Sequence, residues 1–224
     1  MTKAKLVILR HGQTEHNKKT LMTGQLDIPL TTVGEEQARA AGKLIGNIRF
    51  DKVYSSNLSR AFNTAALALE SSGTQVHLLN KDGSWQIEQR REIAELDTGL
   101  FTGRDHRTDP EIINYKRDYH TPLPGGESEE QLVTRVQKFF DTEVMPRLAR
   151  GENVLVVAHA GILRVIGIVL GFEEVPETIW TVKKHTPNAA PTVYNYEGGV
   201  LASFSDPANQ NIPPVQVKKR GPKL

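Results

Sequence analysis

KLVILRHGQTEHN, residues 5–17, is the stretch of this sequence that decides its fold. Residues 6–9 form an apolar run that is too short for a helix, and it ends in the triplet Arg-His-Gly at 10–12 before the chain turns polar. Such a run predicts a buried strand with a charged turn at its carboxyl end, where open α/β sheets bind their ligands. A similar apolar run, Val154–Ala158, leads into His159. We therefore expect two histidines at the tips of two buried strands.

Composition bounds the class of protein. With 224 residues, 38% hydrophobic and 24% charged, the chain is predicted to form one globular domain over residues 1–205, followed by an extended tail over 206–224. No apolar run is long enough to span a bilayer, so we expect a cytoplasmic protein without membrane contact. A formal net charge of +2 is too small to predict a nucleic-acid partner, and the lack of cysteine excludes disulfides and thiolate chemistry.

Helical and strand patterns alternate along the chain. We predict helices at about Val33–Ile48 after an N-cap at Thr32, at Leu58–Glu70, from Asp109 to about Tyr115, after Ser128 and at Ile162–Leu170. We predict further strands at Lys52–Tyr54 and Gln75–Leu79. The last predicted element is a closing hairpin of Thr192–Tyr196 and Val200–Phe204. This order favours an α/β fold with a mainly parallel central sheet flanked by helices. The region from Trp85 to Pro124 is irregular, and we expect substrate specificity to come from it.

The residues at the strand ends point to phosphoryl transfer. Because the carboxyl ends of parallel strands meet at one edge of a sheet, His11 and His159 are expected to lie close to Arg10 and Arg60. Arginine matches phosphate oxygens with two hydrogen bonds, and a helix N-terminus adds backbone donors. Neighbouring positive charge disfavours the imidazolium, which leaves a neutral histidine able to attack phosphorus. A carboxylic acid is still needed to protonate the leaving oxygen.

Several motifs carry a resemblance to a known family. They are Leu9–Asn17, Thr23–Gly24, Asp27–Leu30, Gly34, Tyr54–Ala61, Pro124–Ser128 and Val157–Gly161. They cover most of residues 5–204 and resemble, in order and spacing, the signature of the histidine phosphatase superfamily, which contains the cofactor-dependent phosphoglycerate mutases. The resemblance implies a phosphoglycerate mutase-like fold with an irregular helical insertion over the active site.

The resemblance also implies roles for individual residues. It makes His11 the phosphorylated nucleophile and Arg10, Arg60 and His159 the groups that hold the phosphoryl group. The substrate-binding residues that it implies are Gln13, Thr14, Asn17, Thr23, Gly24, Lys116 and Arg117. The acid it implies is Glu95, four residues before the first glycine of a Gly-x-x-x-Gly run, and Glu92, one turn earlier, is the alternative.

Two functions compete within this family. A phosphatase passes the phosphoryl group to water, whereas a phosphoglycerate mutase passes it between hydroxyls and interconverts 2- and 3-phosphoglycerate. Similar mutases carry tyrosine, asparagine and lysine where this chain has Thr98, Gly161 and His106, and these departures favour a phosphomonoesterase for a small phosphorylated metabolite. On the other side, Tyr115–Tyr119 resembles the mutase segment that holds a second phosphate. A catalytically silent phosphoprotein-binding module is the third hypothesis.

The predicted mechanism requires no metal and no organic cofactor, because arginines and histidines neutralise the transferring group. The expected partner is a small phosphorylated substrate, whose identity the sequence leaves open. The oligomeric state is also open, with a homodimer as one option.

Overall fold

The computed structural model describes residues 2–181 and 187–204, so the predicted tail at 206–224 lies outside the described residues. The strands are β1 (Lys3–Arg10), β2 (Lys52–Ser56), β3 (Ile87–Arg90), β4 (Val154–Ala158), β5 (Pro191–Glu197) and β6 (Val200–Phe204). The α-helices are α1 (Glu15–Lys18), α2 (Thr32–Ile45), α3 (Ser59–Ser72), α4 (Pro110–Asn114), α5 (Glu129–Phe139), α6 (Met145–Ala149) and α7 (Ala160–Val169). None of the helices described is long and apolar enough to cross a membrane.

The described strands form one sheet in the order β3-β2-β4-β1-β5-β6. The first four are mutually parallel, while β5 runs antiparallel to β1 and pairs with β6 in the predicted hairpin. The mainly parallel sheet flanked by helices is therefore confirmed. In the register of β1 and β4, Arg10 lies opposite Ala158. His11 and His159 consequently leave the sheet side by side.

The apolar run of β1 is buried on both faces of the sheet. Leu6 and Ile8 join the cluster that contains residues of α5 and α7, whereas Val7 and Leu9 join the cluster with residues of α2 and α3. None of these four side chains is more than 1% exposed. A strand buried on both faces reads as continuously apolar rather than alternating, and each such side chain contributes about 1.5–3 kcal/mol by burial.

Two sequence predictions on the fold were wrong. Residues 75–79 do not form the third strand, because Val76–Leu78 is a short 3-10 helix and Val76 is 68% exposed. The strand beside β2 is β3, which was not predicted because its sequence is charged rather than apolar. The charge is accommodated because the Glu88 carboxylate pairs with Lys52 of the neighbouring strand. The N-cap of α2 is Thr31 rather than Thr32, since the Thr31 hydroxyl accepts a hydrogen bond from the Gly34 amide.

The turn after β1 packs directly against α2. A Cβ at Gly12 would overlap the carbonyl of Gly34, so only glycine permits this close approach of the two backbones. The Gly12 amide also donates to the Thr64 hydroxyl at 3.0 Å, which ties the turn to α3. These contacts fix the backbone that carries His11.

Candidate active site

His11 follows the last residue of β1, and both its backbone and its ring are held. Its amide donates to the carbonyl of Ala158 at 3.0 Å. Its Nδ1 lies 2.7 Å from the carbonyl oxygen of Gly12. Because a carbonyl only accepts hydrogen bonds, Nδ1 carries the proton and Nε2 presents a lone pair. The His11 residue is 3% exposed, so this lone pair belongs to a fixed, almost fully buried imidazole.

His159 lies directly against this ring. The centroids of the His11 and His159 rings are 5.1 Å apart, with an angle of 57° between their planes. His159 is fully buried and stands at the N-cap position of α7, but its side chain does not cap the helix. Neither of its ring nitrogens has a hydrogen-bond partner among the residues that the structure describes. His159 is not among the described residues that line the pocket, so its ring lies behind that of His11 with both nitrogens lacking a partner in this part of the chain.

Arg60 brings a fully buried positive charge to the same place. It lies in the first turn of α3, where an unpaired cation is unfavourable, and it is 0% exposed. Its Nη1 donates to the carbonyl of Leu26 at 2.7 Å and its Nη2 to that of Gly24 at 3.0 Å. Arg10 lines the same pocket, so the pocket contains two guanidinium groups, which pair readily with phosphate oxygens.

This arrangement keeps both histidines neutral. Burial lowers the pKa of His11 well below its usual 6.5, and the charges of Arg60 and Arg10 lower it further. Burial, Arg60 and the neighbouring His11 lower the pKa of His159 in the same direction. At neutral pH the pair is therefore uncharged, as a nucleophilic imidazole requires.

The two neutral histidines predict an acid-sensitive stability. Below pH 6.5 the unfolded chain binds a proton at each histidine and the folded chain does not, so the free energy of unfolding falls as the pH is lowered. Replacing one of them, in His159→Asn, should make this fall shallower by up to about 1.4 kcal/mol per pH unit. Urea unfolding between pH 7 and 5.5 measures the slope. His120→Gln is the control: the His120 and Glu130 side chains, 3.1 Å apart, are 74% and 53% exposed, so water screens their contact and its loss should leave the slope close to that of wild type. Equal slopes for His159→Asn and wild type would contradict the prediction.

Glu95 reaches the pocket, whereas Glu92 does not. Both carboxylate oxygens of Glu95 accept the Gly161 amide, at 3.1 and 3.2 Å, and one of them also accepts the Leu96 amide at 2.9 Å. It is the one carboxylate among the described residues that line the pocket. Glu92 is exposed, and its carbonyl accepts Nη1 of Arg135 at 2.7 Å. The geometry favours Glu95 over Glu92 as the acid.

The pocket has a volume of about 190 Å³. Of the residues predicted for the site, those on its wall are Arg10, His11, Asn17, Thr23, Gly24, Arg60 and Glu95. Arg60 and His159 come from elements far apart in sequence from β1, yet the sheet edge brings them to His11. Among the described residues, no cluster of His, Asp or Glu could hold a metal ion.

Four residues predicted to bind substrate lie off the pocket wall. The backbone amide of Gln13 donates to the side-chain oxygen of Gln37 in α2 at 2.9 Å. Thr14 is the buried N-cap of α1. Lys116 is exposed. Arg117 lies with its guanidinium carbon 4.0 Å from the centroid of the Trp180 ring.

Some residues at the pocket were not predicted. Arg164, His106 and Trp180 line it, and the guanidinium carbon of Arg164 is 4.5 Å from the centroid of the Trp180 ring. The side-chain amide of Asn188 donates both to the His11 carbonyl at 3.0 Å and to Asn17 at 3.1 Å. Arg164 lies one helical turn after Gly161, so helical periodicity could have found it. Trp180 and Asn188 lie in irregular segments without such a signal.

Comparison with known sequences identifies related enzymes. The family model of the histidine phosphatase superfamily (branch 1) matches residues 6–204. Two similar curated proteins carry the name 2,3-bisphosphoglycerate-dependent phosphoglycerate mutase. That of Parvibaculum lavamentivorans is 35% identical over 206 residues, covering 88% of this chain and 93% of the relative. That of Rhizobium etli is 39% identical over 199 residues, covering 84% and 89%.

Solved structures with a similar fold include both kinds of enzyme. A phosphoglycerate mutase from Bacillus anthracis has a TM-score of 0.71 and 26% identity, covering 91% of this chain and 92% of that one. A mycobacterial glucosyl-3-phosphoglycerate phosphatase has a TM-score of 0.67 and 28% identity, covering 85% and 92%. These neighbours agree on the fold and divide between transfer and hydrolysis.

Proposed function

The chain belongs to the histidine phosphatase superfamily, branch 1, and on that premise we propose that it hydrolyses a small phosphorylated metabolite through a phosphohistidine on His11. The observation that carries the proposal is the ring of His11: it is buried and neutral, with Nδ1–H bonded to the Gly12 carbonyl and the Nε2 lone pair directed away from that bond. Two arginines and a second neutral histidine surround it.

In the first step, Nε2 of His11 attacks phosphorus while the bond to the ester oxygen breaks. The electron pair of that bond goes to the leaving oxygen, which takes a proton from Glu95. Arg10, Arg60 and His159 hold the phosphoryl oxygens and stabilise the charge that spreads over them in the transition state. The hydrogen bond from Nδ1–H to Gly12 stabilises the positive charge that the ring acquires when Nε2 is phosphorylated.

In the second step, water attacks the phosphohistidine. The Glu95 carboxylate removes a proton from this water, the P–N bond breaks, and its electron pair returns to Nε2. Inorganic phosphate leaves, and Glu95 is again an acid for the next ester.

The alternative is a phosphoglycerate mutase, which the names of the curated relatives favour. Hydrolysis is favoured by the position of the residues expected to hold a second phosphate. Lys116 is exposed, and Arg117 is stacked on Trp180 rather than placed on the pocket wall. Furthermore, the place of the mutase asparagine is taken by Gly161, whose amide holds Glu95.

A direct competition between the two reactions tests this choice. The protein is incubated with 3-phosphoglycerate and 2,3-bisphosphoglycerate, and 2-phosphoglycerate and free phosphate are followed together. We expect release of phosphate from a panel of phosphate esters to exceed isomerisation. Fast formation of 2-phosphoglycerate with little free phosphate would make the protein a mutase, and no turnover of any ester would favour the silent binding module.

A further inference from the structure

The acid and the phosphoryl-binding histidine are held by the same helix end. His159 is the N-cap of α7, and Gly161 is the second residue of that helix. The Gly161 amide contacts both carboxylate oxygens of Glu95, at 3.1 and 3.2 Å. Amides in the first turn of a helix lack partners within the helix, so they are natural donors to a carboxylate. Glu95 thus lies on the first turn of α7.

In this structure the absence of a side chain at Gly161 leaves the space that the Glu95 carboxylate occupies. A Cβ at position 161 would overlap Oε1 of Glu95, and the nearest atom outside Glu95 is a methyl carbon of Leu132 at 3.8 Å. The backbone at 161 is helical, so a left-handed conformation is not the reason for glycine. The requirement is space, and the group that occupies the space is the proposed acid.

We propose that Gly161 is a positioning residue for proton transfer: its missing side chain lets Glu95 dock on α7 at the place from which it protonates the leaving oxygen. This inference rests on the proposed function of Glu95 as the acid. A side chain at 161 displaces the carboxylate while His11, Arg10 and Arg60, which come from other elements, keep their places. Gly161→Ala should therefore impair protonation of the leaving group more than binding of the phosphoryl group.

The dependence of the rate on the leaving group separates these two effects. An alkoxide must be protonated as it leaves, whereas p-nitrophenolate leaves without help, and general acid catalysis contributes about 10²–10⁴-fold. We expect Gly161→Ala to lower kcat/KM for glycerol phosphate by about 10²-fold and for p-nitrophenyl phosphate by less than about tenfold. Glu95→Gln should show the same pattern, and the double variant should be no slower than Glu95→Gln alone.

Gly42→Ala is the matched control. A Cβ at Gly42 would overlap the carbonyl of Ala68 where α2 packs on α3, so this variant also crowds a glycine contact, but away from the pocket. It should keep the wild-type ratio of rates on the two esters even if its thermal stability falls. Equal loss on both esters in Gly161→Ala, or losses that multiply in the double variant, would overturn the role of Gly161. Failure of wild type to release phosphate from either ester would instead overturn the proposed function.

Discussion

Replacing His11 with alanine should lower kcat for every phosphate ester by about 10⁴-fold or more, the range seen when a covalent nucleophile is removed. The reason is that Nε2 of His11 is the atom proposed to accept the phosphoryl group, and no other nitrogen occupies its position. His159 is only 5.1 Å away between ring centroids, but its ring lacks the hydrogen bond that sets the tautomer of His11. It is therefore not expected to replace the lost nucleophile.

The covalent intermediate gives this prediction a second measurement. Rapid acid-free denaturation during turnover should trap phosphate on the wild-type chain, bound to His11 and released by acid, and none on His11→Ala. His77→Gln changes a histidine whose ring contacts the Phe50 carbonyl outside the pocket, and it should retain the intermediate. Labelling of His11→Ala equal to wild type would remove His11 from its proposed role. Thermal unfolding of both variants shows whether the chain remains folded.

The sheet could be predicted from the sequence where its strands are buried on both faces. The apolar runs of β1 and β4 are such strands, and the polar residues that follow them mark the edge where the site forms. The third strand could not be predicted, because β3 is an edge strand whose charged side chains are neutralised by pairs with β2 and with each other. Charge pairing across strands is a tertiary property that a local pattern does not contain.

The site was predictable to the extent that strand ends define it. His11, His159 and Arg10 follow from two strand tips, and the family resemblance supplied Glu95. Gln13 and Thr14, which the family resemblance implied, do not line the pocket, because the turn after His11 bends toward α2 and leads into the short helix α1. Other parts of the pocket lining depend on contacts between segments that are distant in sequence, such as the ring of Trp180 beside Arg117 and Arg164. Those contacts have no local signal.

Arg60→Ala is the second substitution with a large expected effect, because this one side chain holds the Gly24 and Leu26 carbonyls and is also proposed to hold the phosphoryl group. Removing a preorganised donor to the transition state typically lowers kcat by about 10²–10³-fold. The variant also leaves the carbonyls of Gly24 and Leu26 without their donor in a buried place, which costs about 1–3 kcal/mol for each. We therefore expect loss of activity and a lower free energy of unfolding together.

Arg60→Lys separates the charge from the geometry. Lysine keeps the positive charge but not the planar fork that reaches two carbonyls and still faces a phosphate, so its activity should lie between those of wild type and Arg60→Ala. Arg39→Ala removes a half-exposed arginine that pairs with Glu70 between α2 and α3, and it should cost no more than about 1 kcal/mol without changing kcat. Urea unfolding and steady-state kinetics on p-nitrophenyl phosphate provide both quantities. If Arg60→Ala retained more than a tenth of wild-type kcat, the buried guanidinium would be a structural support for the Gly24 loop, and Arg10 and His159 alone would hold the phosphoryl group.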